Sequence, residues 1–165
     1  PTRLTVSTVG LIPMLRKILT DETWPPVRLA ISLHSADAKT RTDIMPSSYP
    51  KFLDDLAEWT TQYFEKFESR RRHLTFEYVM LAGVNDTPLH ADKLIAFARK
   101  VGKVKINLIP YNDTKSKYAT SESAALLGFE QRLLDARVDV TRRRTMGADI
   151  AAACGQLIVE KKVEV

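Results

Sequence analysis

Five stretches of this chain alternate apolar and polar residues with a period of two, and longer stretches of helical periodicity lie between them. The strand-like stretches are Leu4–Thr8, Val27–His34, Leu74–Leu81, Lys103–Ile109 and Val138–Arg142. Helical patterns cover Leu11–Leu19, with Pro13 in the first turn, then Phe52–Phe67, and Pro88–Lys100 behind Thr87 as N-cap. Ser121–Ala136 is a further helix, and a short Ala-rich helical turn ends at Cys154-Gly155. In Phe52–Phe67, the residues Phe52, Leu56, Trp59, Tyr63 and Phe67 recur on one helix face. Strand–helix alternation specifies parallel strands, because a parallel pair needs a long crossover and a helix supplies it. No repeat period or low-complexity linker interrupts the pattern, so one α/β domain is expected.

The alternation within the strands narrows the architecture further. Strands covered on both faces read as nearly continuous apolar runs, and these do not. Val27, Leu29, Ile31 and Leu33 alternate with Arg28, Ala30, Ser32 and His34. Leu74, Phe76, Tyr78 and Met80 alternate with Thr75, Glu77 and Val79, while Lys105 and Asn107 oppose Ile106 and Leu108. An antiparallel sheet with one wet face would share this pattern, but the intervening helices argue against it. The small and polar face is unlike the Val/Ile/Leu layers that fill a packed barrel, and suits a lumen that receives a polar ligand. Ser7, Ser32, His34 and Asn112 fall at or just after the C-terminal ends of their strands, where α/β folds place ligands.

Composition excludes several classes. No run approaches the roughly 20 apolar residues of a membrane-spanning helix. The one cysteine among 165 residues, Cys154, cannot form an internal disulfide, a zinc site or an iron–sulfur cluster from this chain. That usage fits a reducing compartment, read here as the cytoplasm. The net charge of +5 includes two arginine triplets, Arg70-Arg71-Arg72 and Arg142-Arg143-Arg144. Triplets of this kind are either solvated surface or phosphate contacts.

The ordered strings are more specific. They are Val6-Ser7-Thr8-Val9-Gly10, Leu29-Ala30-Ile31-Ser32-Leu33-His34, Phe76-Glu77-Tyr78-Val79-Met80-Leu81, Val84-Asn85-Asp86, Ile106-Asn107-Leu108-Ile109-Pro110-Tyr111-Asn112 and Cys154-Gly155-Gln156-Leu157. Arg41, Met45-Pro46, Arg143, Arg144, Gly147 and Asp149-Ile150 accompany them. Together, from Leu4 to about Leu157, the chain resembles the RlmN/Cfr family of radical S-adenosylmethionine (SAM) RNA methyltransferases.

That resemblance implies the C-terminal half of a partial (β/α) TIM-like barrel, with Cys154 as the catalytic methyl carrier that becomes S-methylcysteine. It implies SAM contacts at Ser7, at Ser32, Leu33 and His34, and at Asn112. The implied cofactors are SAM and a [4Fe–4S] cluster, and the implied partners are ribosomal RNA, transfer RNA as a further candidate, and an electron donor such as flavodoxin. Methylation at adenine C2 is expected, with the C8-methylating branch and a non-catalytic RNA- or nucleotide-binding paralogue as alternatives. The family's three-cysteine cluster motif, resolving cysteine, general base and Gly-Glu motif are absent from these residues, and in the family they lie N-terminal to what is present. A chain cut off before Pro1 is therefore expected, folding as an open, curved parallel sheet with helices on its convex side and an unpaired first strand. Asp113-Thr114-Lys115-Ser116-Lys117, Ser47-Ser48 and Ala151 depart from the family pattern.

Overall fold

Each expected strand forms and pairs with its neighbour in sequence. The computed structural model describes residues 4–67, 73–112 and 116–143. It runs β1 (Thr5–Thr8), α1 (Ile12–Thr20), β2 (Arg28–Ser32), α2 (Ala38–Ile44), α3 (Phe52–Lys66), β3 (Leu74–Met80), α4 (Pro88–Val101), β4 (Val104–Pro110), α5 (Ser123–Asp135) and β5 (Asp139–Arg142). The sheet order is β1-β2-β3-β4-β5 with every pairing parallel. Among the described residues the sheet stays open, since β1 pairs with β2 alone and β5 with β4 alone.

Parity along each strand decides which side is dry. Leu29, Ile31 and Leu33, then Leu74, Phe76, Tyr78 and Met80, then Ile106 and Leu108 are buried against the helices. From the helix side come Leu15 of α1, Leu56, Trp59 and Tyr63 of α3, Leu94 and Phe97 of α4, and Phe129 and Leu133 of α5. Each such side chain contributes about 1.5–3 kcal/mol when fully removed from water. Trp59 also donates its indole N–H to the Leu15 carbonyl at 2.8 Å, which satisfies its polar atom in the core and ties α3 to α1.

Two local features differ from the sequence expectation. The helix α2 was not anticipated, because AKTRTDI carries no apolar stripe. It is started by Asp37, whose carboxylate accepts the Thr40 N–H at 2.9 Å and Thr40 Oγ1 at 2.8 Å. Thr87 is the N-cap of α4 as expected, with Pro88 opening the helix, yet its hydroxyl makes no capping bond to the backbone. It bonds His90 Nδ1 at 2.7 Å instead.

Gly10 turns the chain from β1 into α1 at φ +82°, a conformation that L side chains rarely adopt. A Cβ there would lie 2.9 Å from Ile31 Cγ2 and 3.5 Å from Phe52 Cζ, both core atoms. Gly10→Ala is therefore expected to cost roughly 2 kcal/mol, combining left-handed strain with displacement of a packed neighbour. Urea denaturation checks this; a loss below half that size would mean the turn relaxes freely.

Candidate functional site

The sheet face away from the helices carries two polar rows set by register. Ser7, Ala30, Thr75, Lys105 and Asp139 are cross-strand partners in one row. One inward-facing step further along the strands lie Ser32, Glu77, Asn107 and Thr141. Lys105 pairs with Asp139 at 3.5 Å. In the upper row Thr141 Oγ1 donates to Asn107 Oδ1 at 3.4 Å, and Asn107 Nδ2 donates to Glu77 Oε1 at 3.1 Å.

Above β2 the chain leaves the ladder through Leu33, His34 and Ser35. The amides of Leu33 and His34 both donate to the Glu77 carbonyl, at 3.0 and 3.1 Å. His34 sits at φ +56°, in the left-handed region uncommon for non-glycine residues. Its ring turns back toward β3, where Nδ1 accepts the Val79 N–H at 3.1 Å. An accepting Nδ1 puts the single proton of the neutral ring on Nε2. Burial, and next the nearby charge of Arg41, hold the ring's pKa down at about 4 against a smaller upward pull from the Glu77 carbonyl.

Two side chains that the sequence reading quoted only as motif letters hold this loop. Asn85 is fully buried and donates through Nδ2 to the carbonyls of His34 (2.7 Å) and Val79 (2.8 Å). Its Oδ1 accepts the Leu81 N–H at 2.7 Å, and its own carbonyl accepts Tyr78 Oη at 2.7 Å. Arg41, also fully buried, donates Nε to the Leu33 carbonyl at 3.0 Å and Nη2 to the Ser32 carbonyl at 3.2 Å. Its guanidinium lies 3.5 Å over the centroid of the Phe52 ring. Burial lowers the Arg41 pKa to about 10, with Tyr49 pulling the other way. The Val84-Asn85-Asp86 string was the available signal for Asn85; for Arg41 there was only its place among the matching residues.

The expected site residues divide accordingly. Ser7 and Ser32 are on the open face of adjacent strands, one inward-facing step apart. At ordinary strand spacings this puts their Cα atoms about 8 Å apart. Neither hydroxyl has a hydrogen-bond partner among the described residues, so both are available to a ligand. Leu33 points its side chain into the core at 0% exposure, with its amide and carbonyl both bonded inside the protein. His34 likewise spends its amide, carbonyl and Nδ1 internally. Asn112 follows the end of β4 by two residues, half-buried and engaged within the chain. Cys154, Arg70-Arg71-Arg72 and Arg144 lie outside the described residues.

Among the described residues no three His, Cys, Asp or Glu side chains converge as metal ligands. With one cysteine in the chain, the ligands of a three-cysteine cluster would have to come from residues other than these. The open face, by contrast, fits a polar organic ligand, since it offers hydroxyl, amide and carboxylate groups and no helix among the described residues covers it.

Comparison with known proteins agrees with that architecture. No protein-family model matches the chain. It is 38% identical over 156 residues to a dual-specificity RNA methyltransferase RlmN of Ruthia magnifica, covering 94% of this chain and 42% of that protein. It is 41% identical over 162 residues to the RlmN of Desulfotalea psychrophila, covering 96% and 42%. The chain thus spans under half the length of these curated relatives. A radical SAM methyltransferase from Sphaerobacter thermophilus superimposes with a TM-score of 0.82 at 33% identity, over 92% of this chain and 43% of that one. A domain of the pyruvate-formate lyase-activating enzyme from Bacteroides vulgatus superimposes with a TM-score of 0.64 over 86% of this chain and 81% of that one. At 17% identity the latter shows the fold alone.

Proposed function

Since the chain belongs by sequence to the RlmN family of radical SAM methyltransferases over 94–96% of its length, we propose that it serves the methylation of an adenine in RNA. The reading extends to C2 of an adenine in ribosomal RNA, with transfer RNA as a second substrate, in the cytoplasm. The observation that carries it is the open polar face, where Ser7 and Ser32 present unpartnered hydroxyls beside a buttressed loop. On this reading the residues bind the SAM that the family uses.

The division of labour follows from which groups are free. The backbone of Leu33 and His34 is consumed by Glu77, Arg41 and Asn85, so it shapes the rim while side chains meet the ligand. Ser7 and Ser32 supply hydroxyls that donate and accept, while Asn112, already engaged within the chain, is assigned an amide contact at the β4 end. SAM together with a [4Fe–4S] cluster supplies one-electron chemistry able to functionalise an aromatic carbon that is too weak a nucleophile for direct methyl transfer. Cys154 is assigned the sulfur that takes up a methyl group as a thioether and holds it beside the adenine. Arg143, exposed after β5, and Arg142, which also pairs with Glu130 at 3.2 Å, are assigned to RNA phosphates on this reading, contacts that set affinity rather than sequence choice. An electron donor of the flavodoxin type completes the proposal.

The test is Cys154→Ala in the full-length enzyme. Only one sulfur is removed, between Ala153 and Gly155, so unfolding free energy is expected to change by about 1 kcal/mol or less. RNA methylation should disappear, and intact-protein mass spectrometry should lose an extra methyl group that maps to the Cys154 peptide in the parent. A folded variant that still methylates RNA removes Cys154 from the mechanism. Nucleoside analysis of the product separates C2 from C8.

A further inference from the structure

On the open face the Glu77 side chain has Asn107 as its one hydrogen-bond partner among the described residues. The Glu77 backbone carbonyl receives the amides of Leu33 and His34, and its side chain stands half-buried in the row Ser32–Glu77–Asn107–Thr141. One carboxylate oxygen, Oε1, accepts from Asn107 Nδ2 at 3.1 Å. Asn107 is itself oriented by Thr141, whose hydroxyl donates to its Oδ1. That chain of two bonds fixes the amide so that its donor faces the carboxylate. Glu77 belongs to none of the ion pairs among the described residues, and the cation in the row beneath, Lys105, is paired with Asp139. The result is an acceptor-only group, steered by its neighbours, with further lone pairs aimed at no cation of the described chain.

An acceptor of this kind is satisfied by hydroxyl or amino donors of a ligand. Ser32 is its cross-strand partner on β2, about 5 Å away between Cα atoms, and carries a free hydroxyl. A carboxylate beside a hydroxyl, on adjacent strands, matches two donors on neighbouring carbons. The vicinal diol of a ribose has that form. We propose that Glu77 is a further ligand-binding residue of the open face, accepting hydrogen bonds from the ribose hydroxyls of a nucleoside, with Ser32 completing the diol contact and Asn107 positioning the carboxylate. This rests on the reading of the face as a SAM site and adds the part of the ligand that the carboxylate recognises.

The experiment compares S-adenosylhomocysteine with its 2′,3′-dideoxyribose analogue by calorimetry on the full-length, cluster-reconstituted enzyme carrying this sequence. Parent protein should prefer the diol-bearing ligand by roughly tenfold or more. Glu77→Gln, which keeps an acceptor for Asn107 and removes the charge, should lose about that factor for S-adenosylhomocysteine and almost nothing for the dideoxy analogue. Equal affinity of the parent for both ligands overturns the proposal without any substitution, and so does an equal loss for both in Glu77→Gln. Ser7→Ala and Asn112→Ala separate the two levels of the argument. If they weaken S-adenosylhomocysteine binding while Glu77→Gln does not, the diol contact alone falls. If none of the three changes affinity, the face is not the SAM site and the diol contact falls with it.

Discussion

Asn85→Ala is expected to cost about 4 kcal/mol of stability. The side chain is at 0% exposure, so water does not replace what is removed. Truncation orphans the carbonyls of His34 and Val79 and the amide of Leu81 at once. A buried polar group left unpaired costs roughly 1–3 kcal/mol, and three such groups with partial relaxation give the quoted figure. Asn85→Asp does not rescue it. The shape is retained and Leu81 keeps its acceptor, but an acidic oxygen now faces two carbonyls where an NH₂ donated. Urea unfolding of both variants gives the numbers, and amide hydrogen exchange at Leu81 reports the local opening. If both lose less than about 1 kcal/mol, Asn85 does not hold the loop.

Stability is also expected to fall by about 3 kcal/mol between pH 6.5 and pH 4, chiefly because of His34. Its folded pKa of about 4 lies below the ordinary 6.5, so the unfolded chain binds the proton first as pH falls. The full stability is therefore present above pH 6.5, declines through the interval, and is not regained below it. Three facts make the ring resist protonation: burial, the Arg41 guanidinium, and the Val79 amide pointing at Nδ1. His90 has the same direction of shift, from burial first, so the slope must be assigned by difference. His34→Asn tolerates the positive φ and does not titrate, and should flatten most of the decline. Asp37 acts in a separate window. Lys93, together with the Thr40 amide, holds its carboxyl well below the usual carboxylate range, so its contribution is lost only in stronger acid. A parent and variant with parallel pH profiles would show that His34 is not the titrating group.

Much of the fold was legible because burial writes itself into strands with a period of two. Leu29, Ile31 and Leu33 announced the helix-covered side of β2, and Ser32 the open one. The same alternation led to Ser7 and Ser32 as candidate ligand groups, and on the open face neither hydroxyl has a partner among the described residues. The end of β2 was not legible. Val27–His34 reads as one strand, yet pairing stops at Ser32 and His34 adopts a left-handed backbone with no glycine to mark it. Its conformation is imposed by Asn85, 51 residues further along the chain, and by the Val79 amide. Arg41 was hidden for a related reason. Within AKTRTDI it looks like any solvated basic residue, and the Phe52 ring with the carbonyls of Ser32 and Leu33 at the end of β2 makes a buried place for it. Asn107 and Glu77 were noted as polar positions of their strands, but their bond depends on a register that one strand cannot encode by itself.

The division between the two faces of the sheet bears on how proteins of this architecture diverge. Folding instructions are carried by the helix-side residues at one parity of each strand, while the opposite parity is spared from packing and the strand ends are braced from beneath. On the proposed reading of the open side as a ligand site, substitutions that exchange Ser, Thr, Glu or Asn there would alter ligand preference while leaving the hydrophobic layer intact. A lineage can change what it binds through a handful of codons and keep its scaffold. Exchanges at Asn85 or Arg41 do not share that freedom, because these two side chains couple the scaffold to the rim. On that reading, new specificities would arise by rewriting Ser7, Ser32, Glu77 and Asn107 over an unchanged pair of braces.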